Sequence, residues 1–144
     1  MAAMAAPAPV VLDLAWDGDL RFTGHTDAVT LTLDADRVAG PTPVQALAFA
    51  LAGCMAADVV SILVKGRLPL AGLRTRLTGE RRGEQPRYFT KIALHFVVTG
   101  DVPADRVERA VALSREKYCT VWHSMRPDIA FATTFEILTG GGRR

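Results

Sequence analysis

The feature that most constrains the fold is a long apolar segment, residues 44–64, which Gln45, Asp58 and Ser61 interrupt with polar side chains. Its length would suit a membrane span, but an aspartate inside such a span is costly in lipid. A helix that is apolar on nearly every side is typical of the centre of a protein core. We therefore predict a central helix that is packed on several sides by protein.

Local signals mark both ends of this helix. Thr42 is a suitable N-cap, Pro43 suits the first helical position, and Gln45 can complete a capping box. Because Gly66 follows the last apolar turn, we expect the helix to end near Lys65.

Three strands are predicted before the helix, in "VVLDLAW", "LRFTGH" and "AVTLTLD". Asp17-Gly18-Asp19, between the first two, is a hairpin signal. Apolar residues alternate with polar ones, so each strand is expected to bury one face. The alternating apolar residues are Val10, Leu12, Leu14 and Trp16 in the first strand, and Val29, Leu31 and Leu33 in the third.

The second half of the chain begins with two long strands, "LRTRLT" and "FTKIALHFVVT", around the turn "RGEQP". An amphipathic helix in "PADRVERAVALSREKY", a short helix in "TVWHSM" and a last strand in "IAFATTFEIL" follow. The order βββ-α-ββ-α-(short α)-β predicts an α+β domain. The predicted buried stripes are Ile92, Leu94, Phe96 and Val98 on the second long strand, and Val107, Ala110, Val111 and Ser114 on the amphipathic helix.

Composition limits the partners of the chain. With 144 residues, 49% of them hydrophobic, it suits one domain, placed at residues 10–138 between a flexible arm (1–9) and a flexible tail (139–144). A net charge of +2, with no basic block, argues against nucleic acid. The start "MAAMAAPAPV" does not resemble a secretory signal, so we expect a cytoplasmic protein without a membrane partner.

The two cysteines are the first chemical candidates. Cys54, Asp58 and Ser61 share one helix face, while Cys119 follows the amphipathic helix. Buried cysteines are often inert, so structural thiols and a redox pair are both open. The charge of Asp58 would disfavour a thiolate at Cys54, so a reactive thiol needs a nearby arginine or lysine.

Metal binding and other chemistries have weaker signals. Cys119 and His123 are four residues apart, but no Cys-x-x-Cys or His-x-x-x-His pair accompanies them. His25 and His95 are expected near a strand end and on an outer strand face. We expect neither a metal nor a cofactor, and there is no phosphate-binding loop or nucleophile elbow.

Three strings carry a family resemblance: "GPTPVQALAFALAGCMAADVVSILVKGR", "GERRGEQPRYFTKIALHFVVTG" and "RAVALSREKYCTV". They resemble the OsmC/Ohr superfamily of osmotically inducible and organic hydroperoxide resistance proteins, from about Val10 to Leu138. The elements "DVVSIL" and "LSREKYC" are most similar to the YhfA-like branch.

The resemblance implies an intertwined homodimer that reduces hydroperoxides with its thiols and no cofactor. Cys54 would be the peroxidatic cysteine and Cys119 the resolving cysteine, re-reduced by an external dithiol. Apolar neighbours of Cys54, namely Phe49, Leu51 and Met55, would suit an organic hydroperoxide.

The resemblance also implies further site residues. In the organic hydroperoxide resistance branch, a glutamate near the start of the central helix orients an arginine from the N-terminal strands. Here Pro43-Val44-Gln45 stands at that place, so this carboxylate is missing. Asp58 would be a substitute carboxylate, and the arginine would be Arg21 or, alternatively, Arg37.

A competing interpretation is a dimer of the same fold without catalytic activity, or a redox sensor. It would bind a small hydrophobic ligand in a pocket at the dimer interface. The positions of the cysteines distinguish this interpretation from a peroxide reductase. A redox pair needs the two Cα atoms within about 7 Å of each other, or a small motion that brings them there.

Overall fold

The computed structural model describes residues 4–139, in which the predicted order of strands and helices is confirmed. The arm predicted at 1–9 and the tail predicted at 139–144 lie partly outside these residues. The elements are β1 (Asp13–Trp16), β2 (Arg21–Thr26), β3 (Val29–Asp34), α1 (Pro43–Lys65), β4 (Leu70–Arg81), β5 (Phe89–Gly100), α2 (Ala104–Leu113), a π-helical turn (Ser114–Tyr118), α3 (Thr120–His123) and β6 (Ala130–Leu138). The α+β class is therefore confirmed. The chain divides into two compact units between Leu47 and Ala48.

In the first unit, β1, β2 and β3 form an antiparallel sheet. Its register sets Leu14 beside Gly24 and Leu31, so these residues share one face. The prediction that each strand buries one face is wrong for the single chain. Five side chains on this side of the unit are more than half exposed: Leu12, Leu14, Trp16, Val29 and Leu31.

The first strand is also shorter than predicted. Its pairing with β2 begins at Asp13, opposite His25, so Val10 lies outside the strand. The hairpin is confirmed at Asp17-Gly18-Asp19, where Gly18 has a φ of 107°, a conformation that glycine adopts without strain.

The loop between β3 and α1 is organised around Asp34, which is 2% exposed. Its carboxylate accepts hydrogen bonds from the backbone N–H groups of Asp36, Val38 and Ala39. The N–H of Ala39 contributes most to holding the pKa of Asp34 below its usual range. The loop therefore has a charged centre that is satisfied by backbone donors.

The ends of α1 are as predicted. Thr42 Oγ1 accepts from the Gln45 N–H at 3.0 Å, and Gln45 Oε1 accepts from the Thr42 N–H at 3.0 Å. This reciprocal pair is the capping box, and it satisfies two backbone donors at the start of the helix. The helix ends at Lys65.

The second unit contains the sheet β4–β5–β6, in which β5 pairs antiparallel with β4 and parallel with β6. Both predicted stripes, on β5 and on α2, are confirmed as buried. They form one core with a stripe of α1 that consists of Leu51, Met55, Val59 and Leu63.

The prediction that α1 is packed on several sides is wrong for the single chain. Phe49 is 70% exposed and Val64 is 56% exposed. The helix is long and apolar enough to cross a membrane by composition alone, but its buried stripe lies in a protein core. Part of its apolar surface is therefore exposed in the single chain.

Candidate active site

The structure brings Cys54, Asp58 and Cys119 together. The two sulfurs and a carboxylate oxygen of Asp58 all lie within 4.8 Å of one another. Cys54 and Asp58 are one turn apart on α1, whereas Cys119 directly follows the π-helical turn at the C-terminal end of α2. The two cysteines therefore point into the same cluster rather than into separate parts of the core.

A π-helical turn positions Cys119. The Cys119 N–H donates to the Ser114 carbonyl at 2.7 Å across this widened turn. The backbone then leaves the helix at Cys119, with a φ of −75° and a ψ of 95°, so that the residue caps α3. Its sulfur accepts a hydrogen bond from the Trp122 N–H at 3.4 Å. Such single wide turns are frequent at functional sites, and sequence periodicity did not predict this one.

Ser114 completes the cluster. Its hydroxyl donates to Oδ2 of Asp58 at 2.8 Å, and the serine itself is fully buried. Sequence reasoning placed Ser114 in the inner stripe of α2 but assigned it no role. The signal was present, because a hydroxyl in a buried stripe needs a hydrogen-bond partner.

Burial differs between the two thiols. Cys54 is half-buried, whereas Cys119 has no exposed surface. Burial is the main cause that raises the pKa of the Cys119 thiol to about 11. The hydrogen bond from the Trp122 N–H lowers this pKa, whereas the neighbouring Cys54 and Asp58 also raise it. Cys119 is therefore a neutral thiol at physiological pH, while Cys54 is the sulfur that a small molecule can reach.

A reactive thiol at Cys54 requires a nearby cation, but among residues 4–139 no arginine or lysine forms an ion pair with Asp58. The ion pairs within residues 4–139 join Arg82 to Glu84, His95 to Glu136 and Arg126 to Asp128. Within that same span, Asp58 accepts a hydrogen bond from the Ser114 hydroxyl and forms no ion pair with an arginine or lysine.

The other predicted site residues belong to the first unit. The Arg21 guanidinium donates to the Asp17 carbonyl at 3.4 Å. Arg37 is exposed in the loop before α1, with a φ of 62°. Gln45 uses its side-chain oxygen in the capping box. Their predicted roles at the thiols stay predictions.

Three further polar residues lie apart from the cluster. Ser61 is exposed on α1. His123 Nε2 is 3.0 Å from the Arg115 carbonyl, and His123 is not part of the cluster around Cys119. His95 lies on the outer face of β5, as predicted, between Thr134 and Glu136.

Comparison with known proteins adds a family context. Residues 34–134 match the family model described as OsmC-like protein. Protein YhfA of Escherichia coli K12 is 46% identical over 99 residues, which are 68% of this chain and 74% of YhfA.

Two solved structures have similar folds. A hypothetical protein from Aquifex aeolicus VF5 matches with a TM-score of 0.84 and 27% identity over 91% of this chain and 97% of that protein. An organic hydroperoxide resistance protein, OsmC from Legionella pneumophila, matches with a TM-score of 0.68 and 17% identity over 92% of this chain and 99% of that protein. The resemblance predicted from three sequence strings, including that to the YhfA-like branch, is confirmed.

Proposed function

The chain belongs to the OsmC-like protein family, and from that membership we propose that it is a thiol-dependent hydroperoxide reductase that acts in defence against organic peroxides. One observation carries the proposal: the sulfurs of Cys54 and Cys119 lie within 4.8 Å of each other. A disulfide bond needs an S–S distance of about 2.05 Å, which a small side-chain motion can provide from that separation. A family member named for organic hydroperoxide resistance has the same fold.

The proposed cycle has three balanced steps. The Cys54 thiolate attacks one peroxide oxygen, the O–O bond breaks, and the departing alkoxide takes a proton and leaves as an alcohol. Cys54 is then a sulfenic acid, which the Cys119 thiol attacks to give the disulfide and water. An external dithiol reduces this disulfide by exchange and becomes oxidised itself.

The difference in burial supports this assignment of roles. Cys54 is half-buried and can meet a substrate, so it is the peroxidatic cysteine. Cys119 is buried and its pKa is raised to about 11, so it stays protonated and does not compete for the peroxide. As a resolving cysteine it needs only to reach Cys54 after the first step.

A homodimer is part of the proposal. Leu14 and Leu31, which share one face of the first sheet, are exposed in the single chain, as is Phe49 on α1, and exposed apolar surface of this kind marks an interaction site. A second copy of the chain would cover it. The resemblance assigns the activation of Cys54 to Arg21, with Arg37 as the alternative, in a cytoplasmic protein supplied with dithiol reductant.

One observation favours a second candidate function, a dimer that binds a small hydrophobic ligand without turnover. The first turn of α1 has no acidic residue, and Gln45 is engaged in the capping box. The carboxylate that orients the arginine in the hydroperoxide resistance branch is therefore replaced by a helix cap.

Peroxide consumption decides between the two functions. The native protein, Cys54→Ser and the matched control Ser61→Ala are mixed with cumene hydroperoxide and dithiothreitol, and the remaining peroxide is measured. We expect turnover in the native protein and in Ser61→Ala, and none in Cys54→Ser. No turnover by the native protein with several peroxides and dithiols would favour the ligand-binding dimer.

A further inference from the structure

We propose that the reduced protein binds a divalent cation of the zinc class through the sulfurs of Cys54 and Cys119 and the carboxylate of Asp58. This site is distinct from the Cys119–His123 pair considered from sequence, because Cys54 and Asp58 of α1 accompany Cys119 and His123 is not part of it. It needs reduced thiols and does not depend on peroxide turnover.

The geometry is close to that of a metal site. Zinc binds sulfur at about 2.3 Å and carboxylate oxygen at about 2.0–2.2 Å, so tetrahedral neighbours are roughly 3.5–3.8 Å apart. The three candidate ligand atoms already lie within 4.8 Å of one another. A contraction of about 1 Å therefore completes the site. Two thiolates and one carboxylate form a donor set that favours zinc over magnesium or calcium.

Neighbouring hydrogen bonds hold the ligands in place. The Ser114 hydroxyl donates to Oδ2 of Asp58 and so orients the carboxylate. The Trp122 N–H donates to the Cys119 sulfur. Donors that orient the ligands in this way are the normal surroundings of a protein metal site.

The charges of the cluster favour a cation. Asp58 has no basic partner among the ion pairs of residues 4–139, although two thiols adjoin it. On metal binding both thiols lose their protons to solvent, and two thiolates and one carboxylate surround the dication. The half-buried side of Cys54 leaves a fourth position open to water.

Metal binding and disulfide formation would exclude each other, since both use the same two sulfurs. Bound metal would protect the thiols from oxidation, and oxidation would release the metal. This relation provides a test that does not require substitution of any residue.

The test is equilibrium dialysis of the reduced, chelator-treated protein against Zn²⁺, with Co²⁺ as the spectroscopic probe. We expect one metal ion per chain and a near-ultraviolet thiolate-to-cobalt absorption that is about halved in Cys54→Ser, since one of two thiolates is lost. Asp58→Asn should weaken zinc binding at least about tenfold. The matched control Asp101→Asn, which changes an exposed acid outside the cluster, should bind like the native protein.

Several outcomes would overturn the metal site. The reduced native protein could retain no zinc, or both Cys54→Ser and Asp58→Asn could bind zinc with native affinity. Zinc binding that is unchanged after oxidation to the disulfide would also contradict the site. Peroxide turnover is measured separately on chelator-treated protein. Zinc binding without turnover would support the metal site and refute the reductase. Turnover without zinc binding would support the reductase and refute the metal site.

Discussion

The Ser114 hydroxyl donates a 2.8 Å hydrogen bond to Oδ2 of Asp58, and this bond joins the π-helical turn to the central helix. Five residues after the serine, Cys119 closes the wide turn through its N–H bond to the Ser114 carbonyl. One buried residue therefore contacts the acidic group of the site with its side chain and positions the second thiol with its backbone.

Removal of the Ser114 hydroxyl should destabilise the protein. Ser114→Ala leaves a half-buried Asp58 oxygen without its donor, which costs about 1–3 kcal/mol in the free energy of unfolding. Urea denaturation of the reduced protein measures this loss. The exposed control Ser61→Ala should stay within about 0.5 kcal/mol of the native protein. Equal effects of the two substitutions would contradict a structural role for the bond.

The two cysteines should have separable chemical roles. With one equivalent of cumene hydroperoxide per chain, Cys119→Ser should form one sulfenic acid per chain, at Cys54, because no resolving thiol follows. Cys54→Ser should form none at Cys119, which is buried and protonated. Trapping with dimedone followed by mass spectrometry locates the modified residue. A trapped sulfenic acid at Cys119 in the native protein would reverse the proposed assignment.

Stability of the reduced protein should fall in alkali in a way that depends on Cys119. Its pKa is raised from 9.0 to about 11 in the folded state. Between these values the unfolded chain loses the thiol proton first, so the free energy of unfolding decreases as pH rises through this window.

Comparison of the native protein with Cys119→Ala isolates this contribution, since the tyrosines and lysines titrate in both. The native protein should lose on the order of 2 kcal/mol more than the variant between pH 8.5 and about 11. Denaturant titration at several pH values measures the difference. Parallel curves for the two proteins would show that the thiol has no raised pKa.

The apolar face of the first sheet should hold the proposed dimer together. Leu14→Glu would place a charge on the face shared by Leu14 and Leu31, whose burial against a second copy would then be unfavourable. Sedimentation velocity should show a monomer. Ala15→Glu lies on the opposite face of the same strand and should leave the dimer intact. A monomeric native protein, or a dimeric Leu14→Glu, would refute this interface.

Much of the local structure follows from the sequence. The capping box of Thr42 and Gln45, the end of α1 at Lys65 and the buried stripe of β5 were all predicted, because caps and periodicity depend on neighbouring residues. Burial of the β1 and β3 apolar residues was not correctly predicted. Alternation shows which face is apolar, but whether something covers that face depends on other parts of the protein or on a partner.

The sequence by itself determined the order of elements, the family and the identity of the two thiols. Only the tertiary structure decided that Cys54, Asp58 and Cys119 meet, and that Ser114 rather than a basic residue bonds Asp58. The physical reason is that helix and strand signals act over a few residues. A cluster between α1 and the end of α2 depends instead on how distant segments pack, and on a wide helical turn that side-chain periodicity does not encode.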